Sequence, residues 1–336
     1  MRKRTVPLLA LLVVFAAMFI LVASVFAKGD LYDRQGRFKV QVLALTTFGG
    51  TDWGESGPWF LHETWPLQFD IKGGFSPVYC QLNGKCFTIT GTGKTNSGPS
   101  LMAIMLSDKL NMDSAYFVTS AISGTRADPG KEGFQGTLGF VGIANWIVDG
   151  DFGTHFDRLD LTKRDPADVQ KYAWYFLSDY DNAQFHLNEA LTQKAYALTK
   201  NVLLADDAEA QAARAMYPTQ KGMVPFVAIC DTVSMDNFFS GDHDADKVDH
   251  IVRYRSGGAA TKCTSQFEDA GYANVLARFG MLDRLVIVRS ASDFETQAPG
   301  QSAYELLTSG YPGYAISTEN AYRVATVIAN YLVTRP

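Results

Sequence analysis

This chain predicts an α/β fold: a central mixed, mostly parallel sheet flanked by helices, with an α-helical insertion. Three observations point there. Short runs rich in β-branched and aromatic residues alternate with helical stretches, and glycines sit at the strand ends. The apolar run Leu285-Val286-Ile287-Val288 also stops abruptly in Arg289-Ser290-Ala291-Ser292-Asp293. The first two are the pattern of βαβ units. The third reads as a strand buried on both faces that delivers polar groups at its C-terminal end, with Ser292 and Asp293 entering the next loop. Open α/β sheets bind ligands at that edge.

In chain order, Met1-Arg2-Lys3-Arg4 and the apolar stretch from Val6 to Ala27 have the form of an export signal, with Val25-Phe26-Ala27 as a cleavage pattern. The apolar run is also long enough to span a bilayer. Residues 1–27 are therefore expected to be a signal peptide or an N-terminal anchor held through residues 6–27. Residues 28–336 are expected to form one domain outside the cytoplasm, periplasmic or extracellular. Lys39 to Thr46 reads as the first strand, closed by Phe48-Gly49-Gly50, and the Gly- and Trp-rich stretch Thr51 to Glu63 as a loop. In Cys80-Gln81-Leu82-Asn83-Gly84-Lys85-Cys86 an Asn-Gly turn sits between two cysteines. That is a hairpin signal which makes a Cys80–Cys86 bridge plausible and leaves Cys230 for Cys263, although spacing alone does not set the connectivity.

A strand over Cys86 to Thr90 leads through Gly91-Thr92-Gly93-Lys94-Thr95-Asn96 into a helix through Ser100 to Leu106. Ala115 to Ser120 is the next strand, followed by a small-residue turn at Ala121 to Gly124. Asp165 as N-cap and Pro166 as first helical residue open an alanine-rich insertion over about 165–217, with breaks near Asp181 and Asp206. Val224 to Cys230 restores the strand pattern, Tyr272 to Gly280 is a helix, and Ala321 to Val333 closes the chain as an amphipathic helix.

The 336 residues suffice for one large domain or two closely packed ones. Charged residues make up 19% and the net charge is -5, which argues against a nucleic-acid partner.

Several clusters could carry chemistry. Gly91-Thr92-Gly93-Lys94-Thr95 resembles the end of a phosphate-binding loop, but that motif needs a glycine at position 88, which is Thr. The turn could instead present backbone N–H groups to an anion or hydroxyl, or be a tight turn with a solvated Lys94. Phe267-Glu268-Asp269 precedes a helix, so N-terminal capping is the default; a carboxylate gripping a vicinal diol is the functional alternative. Phe238 and Phe239, following Asp236, are either core or an apolar slot for a flat base. Asp242 to His250 has metal-ligand residue types but no defined spacing; it reads as a solvated loop entering a helix, with no metal. Arg289 and Asp293 are either a structural ion pair or two groups converging on one cleft.

Taken together, Thr90-Gly91-Thr92-Gly93-Lys94, Ser120-Ala121-Ile122-Ser123-Gly124, Ser234-Met235-Asp236-Asn237-Phe238, Phe267-Glu268 and Arg289-Ser290-Ala291-Ser292-Asp293 come in the order seen in the nucleoside phosphorylase and nucleosidase superfamily. The chain more closely resembles the purine nucleoside permease family, over nearly all of the mature sequence. The resemblance implies a phosphorylase-like fold and a purine nucleoside ligand. It implies that Asp293 protonates the purine at N7, and that Arg289 positions the attacking water or phosphate and orients Asp293. It places Glu268 on the ribose hydroxyls with Phe267 beside the sugar, where nucleosidases usually have Met. Phe238, Phe239 and Asp236 fall at the base. Gly91, Gly93 and Lys94 fall beside the ribose and nucleophile, and Glu55 aligns with an N-terminal acid of the permease family.

No cofactor is implied, and phosphate enters only as a co-substrate. A homo-oligomer and a membrane transport partner are both compatible with the resemblance. For Asp293 to hold a proton near neutral pH, burial must raise its pKa above ~3.9, and Arg289 must spend its charge on the nucleophile or on another carboxylate.

Overall fold

The computed structural model describes residues 31–334 except 131–132, 173 and 176–181. The 1–27 leader or anchor and the break near Asp181 lie outside the described residues. The fold is organised on the strand Leu285–Phe294, every residue of which is buried. Its first part pairs in parallel with Tyr116–Thr119 and its second with Ala121–Thr125. On one side the sheet continues through Val42–Thr46 and Lys85–Ile89, all parallel, to the antiparallel edge Val78–Cys80 and Leu67–Phe69. On the other it runs from Ala121–Thr125 through Lys262–Gln266, Asp231–Ser234 and Trp146–Asp149 to Gln184–His186. Val141–Ala144 crosses Leu285–Phe294 antiparallel and carries Val227–Ile229.

The unbroken apolar runs exist because both sheet faces are covered. Successive side chains of a strand point to opposite faces. Val42, Ala44, Val286 and Val288 pack with Val324, Ala325 and Ile328 of the helix Tyr314–Leu332. Leu43, Leu45, Leu285 and Ile287 pack with Leu101 and Ile104 of the helix Lys94–Met105 and with Leu276 of the helix Asp269–Arg278. Those two helices touch at Gly271, where a Cβ would come within 2.6 Å of Ser97 Oγ.

Several local expectations change. The supposed loop 51–63 contains the helix Gly57–His62, because Trp59 is fully buried and stacks on Phe87. The strand expected over Lys39 to Thr46 is split into the short Phe38–Lys39 and Val42–Thr46. The turn Ala121 to Gly124 is a strand, because the central strand is ten residues long and supplies it a parallel partner. For the same reason Ser292 and Asp293 belong to the strand and not to the loop after it. The helix after Gly93 starts at Lys94 and the closing helix at Tyr314.

The insertion holds the helices Ala167–Tyr172, Glu189–Thr199 and Ala208–Ala215, but also Gln184–His186, which joins the main sheet. Asp242 to His250 lies within the helix Asp242–Arg255; Asp246 and Asp249 pair with the buried Arg126. Cys80 is bonded to Cys86 and Cys230 to Cys263, which suits an oxidising compartment. Among the described residues, no helix is long and apolar enough to cross a membrane.

Candidate functional site

A cavity of about 310 Å³ opens at the carboxyl ends of the central strands. This is the edge at which open α/β sheets bind ligands, and the size is at the lower end of ~300–1,000 Å³ for small-molecule sites. The strand Ala121–Thr125 lines the cavity through Ile122, Ser123 and Gly124. Glu55, Phe238, Phe239, Phe267, Glu268, Arg289 and Asp293 all line it, brought from four separate parts of the chain.

Glu55 is held by three donors. Thr47 N–H (2.6 Å) and Thr47 Oγ1 (2.7 Å) donate to its Oε2, and Ile122 N–H (2.8 Å) donates to its Oε1. Burial pushes its carboxyl up to about 7; Arg289 opposes the rise and the Glu268 charge adds to it.

Asp293 accepts a hydrogen bond from Ser292 Oγ at 2.7 Å. Burial pushes it too up to about 7, with the Ser292 bond opposing and Glu295 adding. A bulge between Ala291 and Asp293 sets Asp293 opposite Gly124, and bulges of this kind re-aim side chains. Ile122 and Gly124 are two residues apart on one strand, so the anchor points of the two acids are separated by roughly 7 Å.

Arg289 does not orient Asp293. Its guanidinium donates to Asp269 (Nη2 to Oδ1, 2.6 Å), approaches Glu268 Oε2 at 3.1 Å and donates to the Ile122 carbonyl at 3.0 Å. Its charge is thus spent on two carboxylates, leaving Asp293 free to hold a proton.

Nor do Glu268 and Asp269 cap their helix. The first N–H groups are satisfied by Gln266 Oε1, which accepts from Glu268 N–H and Asp269 N–H at 2.6 and 2.9 Å, and by Ser234 Oγ, which accepts from Ala270 N–H at 2.8 Å. The Glu268 side chain is thereby released toward the cavity, where Gly93 N–H donates to its Oε1 at 2.9 Å.

Four expected site residues, Gly91, Gly93, Lys94 and Asp236, lie off the cavity wall. Lys94 Nζ donates to Asp149 Oδ1 (2.7 Å) and Asp151 Oδ2 (3.0 Å), so two carboxylates hold it away. Asp236 turns its carboxylate to Lys94 N–H at 2.9 Å, fixing the start of that helix, and it is Asn237 that lines the cavity. Gly91 and Gly93 supply positive φ at the turn (83° and 86°), and the N–H of Gly93 meets Glu268. Phe238 remains, 44% exposed, edge-on to Phe267 and Tyr311 at the mouth.

A family model described as purine nucleoside permease (NUP) matches residues 39–335. The chain belongs to the purine nucleoside permease family. A probable purine nucleoside permease of Schizosaccharomyces pombe is 26% identical over 95% of this chain and 96% of its own length. A purine nucleoside permease of Candida albicans is 29% identical over 83% and 72%. Among solved structures, a 5'-methylthioadenosine/S-adenosylhomocysteine nucleosidase from Neisseria meningitidis superposes with a TM-score of 0.51 at 16% identity, over 87% of this chain and 100% of that one. Futalosine hydrolase of Helicobacter pylori gives 0.52 at 13%, over 88% and 97%. These last two show a shared phosphorylase-like fold.

In this permease-family chain, sequence reasoning missed several wall residues: Thr47 and Phe48, Ser123, Glu295, Tyr311 and Tyr314. It also missed Asp269 as the bidentate partner of Arg289. Only the position of Glu295, two residues beyond Asp293, carried a local signal. The tyrosines lie just before and at the start of the closing helix, where aromatic residues read as core.

Proposed function

We propose that this protein binds a purine nucleoside in the cavity and cleaves its N-glycosidic bond. The observation that carries the reading is the pair of buried carboxyls, Glu55 and Asp293, both lining one cavity and both raised by burial to about 7. Perturbed acids converging in a cleft are the usual mark of acid–base chemistry. Breaking the bond builds positive charge on the ribose and negative charge on the departing base. Protonated Asp293 gives its proton to N7 as the C1′–N9 bond breaks. Ionised Glu55 takes a proton from the water whose oxygen bonds to C1′. Glu268, kept in place by Arg289 and Gly93, has lone pairs left for the ribose hydroxyls. Phe267 and Phe238 supply apolar walls for sugar and base.

The test is release of free base from adenosine or inosine by the purified protein, with and without phosphate. Release without phosphate assigns water as nucleophile, and release that requires phosphate assigns phosphorolysis. No release in either condition refutes the enzyme.

The names of the relatives favour a second reading, a nucleoside-binding component of uptake. With no membrane-crossing helix among the described residues, that role calls for a partner in the membrane. Tight nucleoside binding without turnover, together with lost uptake on deletion, is its expected signature.

A further inference from the structure

The wall of the cavity contains an acid that the proposed chemistry does not use. Glu295 is 2% exposed and ion-paired through Oε2 with Lys262, which is itself buried and 3.3 Å from Asp249. Its Oε1 is closed to solvent and has no hydrogen-bond partner. The backbone fixes its place: Glu295 N–H donates to the Thr125 carbonyl at 2.8 Å, and Gly241 N–H donates to the Glu295 carbonyl at 2.7 Å.

It lies beside Asp293 because position 124 is glycine. A Cβ there would meet Ser265 Oγ at 2.9 Å, Glu295 Cγ at 3.2 Å and Asp293 Oδ2 at 3.4 Å, so the three side chains close around one missing atom. As the partner of the Lys262 ammonium, Glu295 is a carboxylate, and a carboxylate only accepts hydrogen bonds. A buried acceptor left unmade is costly, so a ligand that brings an N–H to it gains affinity.

We infer that Glu295 is the residue that selects the base, its Oε1 accepting a hydrogen bond from an amine at C6 of the purine. This rests on the nucleoside reading with Asp293 at N7. On a purine the C6 substituent borders N7, so the acceptor next to Asp293 meets the amine of a 6-aminopurine or the carbonyl of a 6-oxopurine. The amine satisfies Oε1; the carbonyl sets lone pairs against it.

The experiment is calorimetric titration of the full chain carrying Glu55→Gln, so that the nucleosides persist, with adenosine, inosine and purine riboside, which has only hydrogen at C6. Adenosine is expected to bind at least about tenfold more tightly than either of the others. Adding Glu295→Gln, whose amide can also donate, is expected to bring inosine within about threefold of adenosine. Equal affinity for all three nucleosides overturns the assignment, and this ligand series needs no change at Glu295. A ratio unmoved by Glu295→Gln in a chain with native thermal midpoint overturns it as well. Binding of none of the three overturns the nucleoside reading instead.

Discussion

The proposed reaction needs opposite protonation states in two acids that share nearly the same pKa, and this fixes its pH dependence. Glu55 and Asp293 both lie at about 7, raised chiefly by burial. Only molecules with Asp293 protonated and Glu55 ionised are competent. That population is about a quarter at pH 7 and about one in a hundred at pH 5 and at pH 9. The rate kcat/KM, which reports on the free protein, is expected to follow a narrow bell centred near pH 7, falling about 25-fold over two units on either side. Asp293→Asn keeps the shape but supplies no proton. It is expected to cost roughly 10²–10⁴-fold and to remove the alkaline limb. Glu55→Gln removes the acid limb. Free adenine is assayed from pH 5 to 9 in buffers of constant ionic strength. A flat wild-type profile, or an Asp293→Asn protein retaining wild-type activity, would refute the assignment of these two acids.

The same titrations bear on stability. Between its ordinary value of 3.8 and about 7, Asp293 binds more proton folded than unfolded, so its contribution to stability falls as pH rises through that window. Asp293→Asn is therefore expected to gain on the wild type from pH 4 to 7 in urea melts, by up to about 4 kcal/mol, and an unchanging difference would contradict the buried acid. Asp269→Ala leaves the Arg289 guanidinium without its bidentate partner; a loss of about 3–5 kcal/mol is expected, most of it recovered in Asp269→Leu with Arg289→Met. The Cys230–Cys263 bridge closes 33 residues and Cys80–Cys86 only 6. Replacing the first pair by serine is expected to cost about 4 kcal/mol and the second about 2 kcal/mol, read from denaturation midpoints.

Which parts were legible depended on how local their cause is. The run Leu285 to Val288 announces a strand covered on both faces, because continuous β-branched hydrophobicity has few other uses. The Asn-Gly turn likewise announces a hairpin between Val78–Cys80 and Lys85–Ile89. Where the local pattern misled, a distant partner had overridden it. Ala121 to Gly124 looks like a turn until a ten-residue strand lies beside it, and Glu268-Asp269 looks like a cap until Gln266 and Ser234 take over the helix N–H groups.

The α/β class, the cysteine hairpin and the residue types of the site follow from the sequence itself, since composition and periodicity encode burial and turning one segment at a time. Tertiary structure alone decided the assignments of charge: Arg289 to Asp269, Lys94 to Asp149 and Asp151, and Glu55 into the cavity beside Ile122. The reason is distance along the chain. Glu55 and Ile122 are 67 residues apart, and Gly93 and Glu268 are 175 apart. No pattern within one segment records which carboxylate another strand will bring alongside.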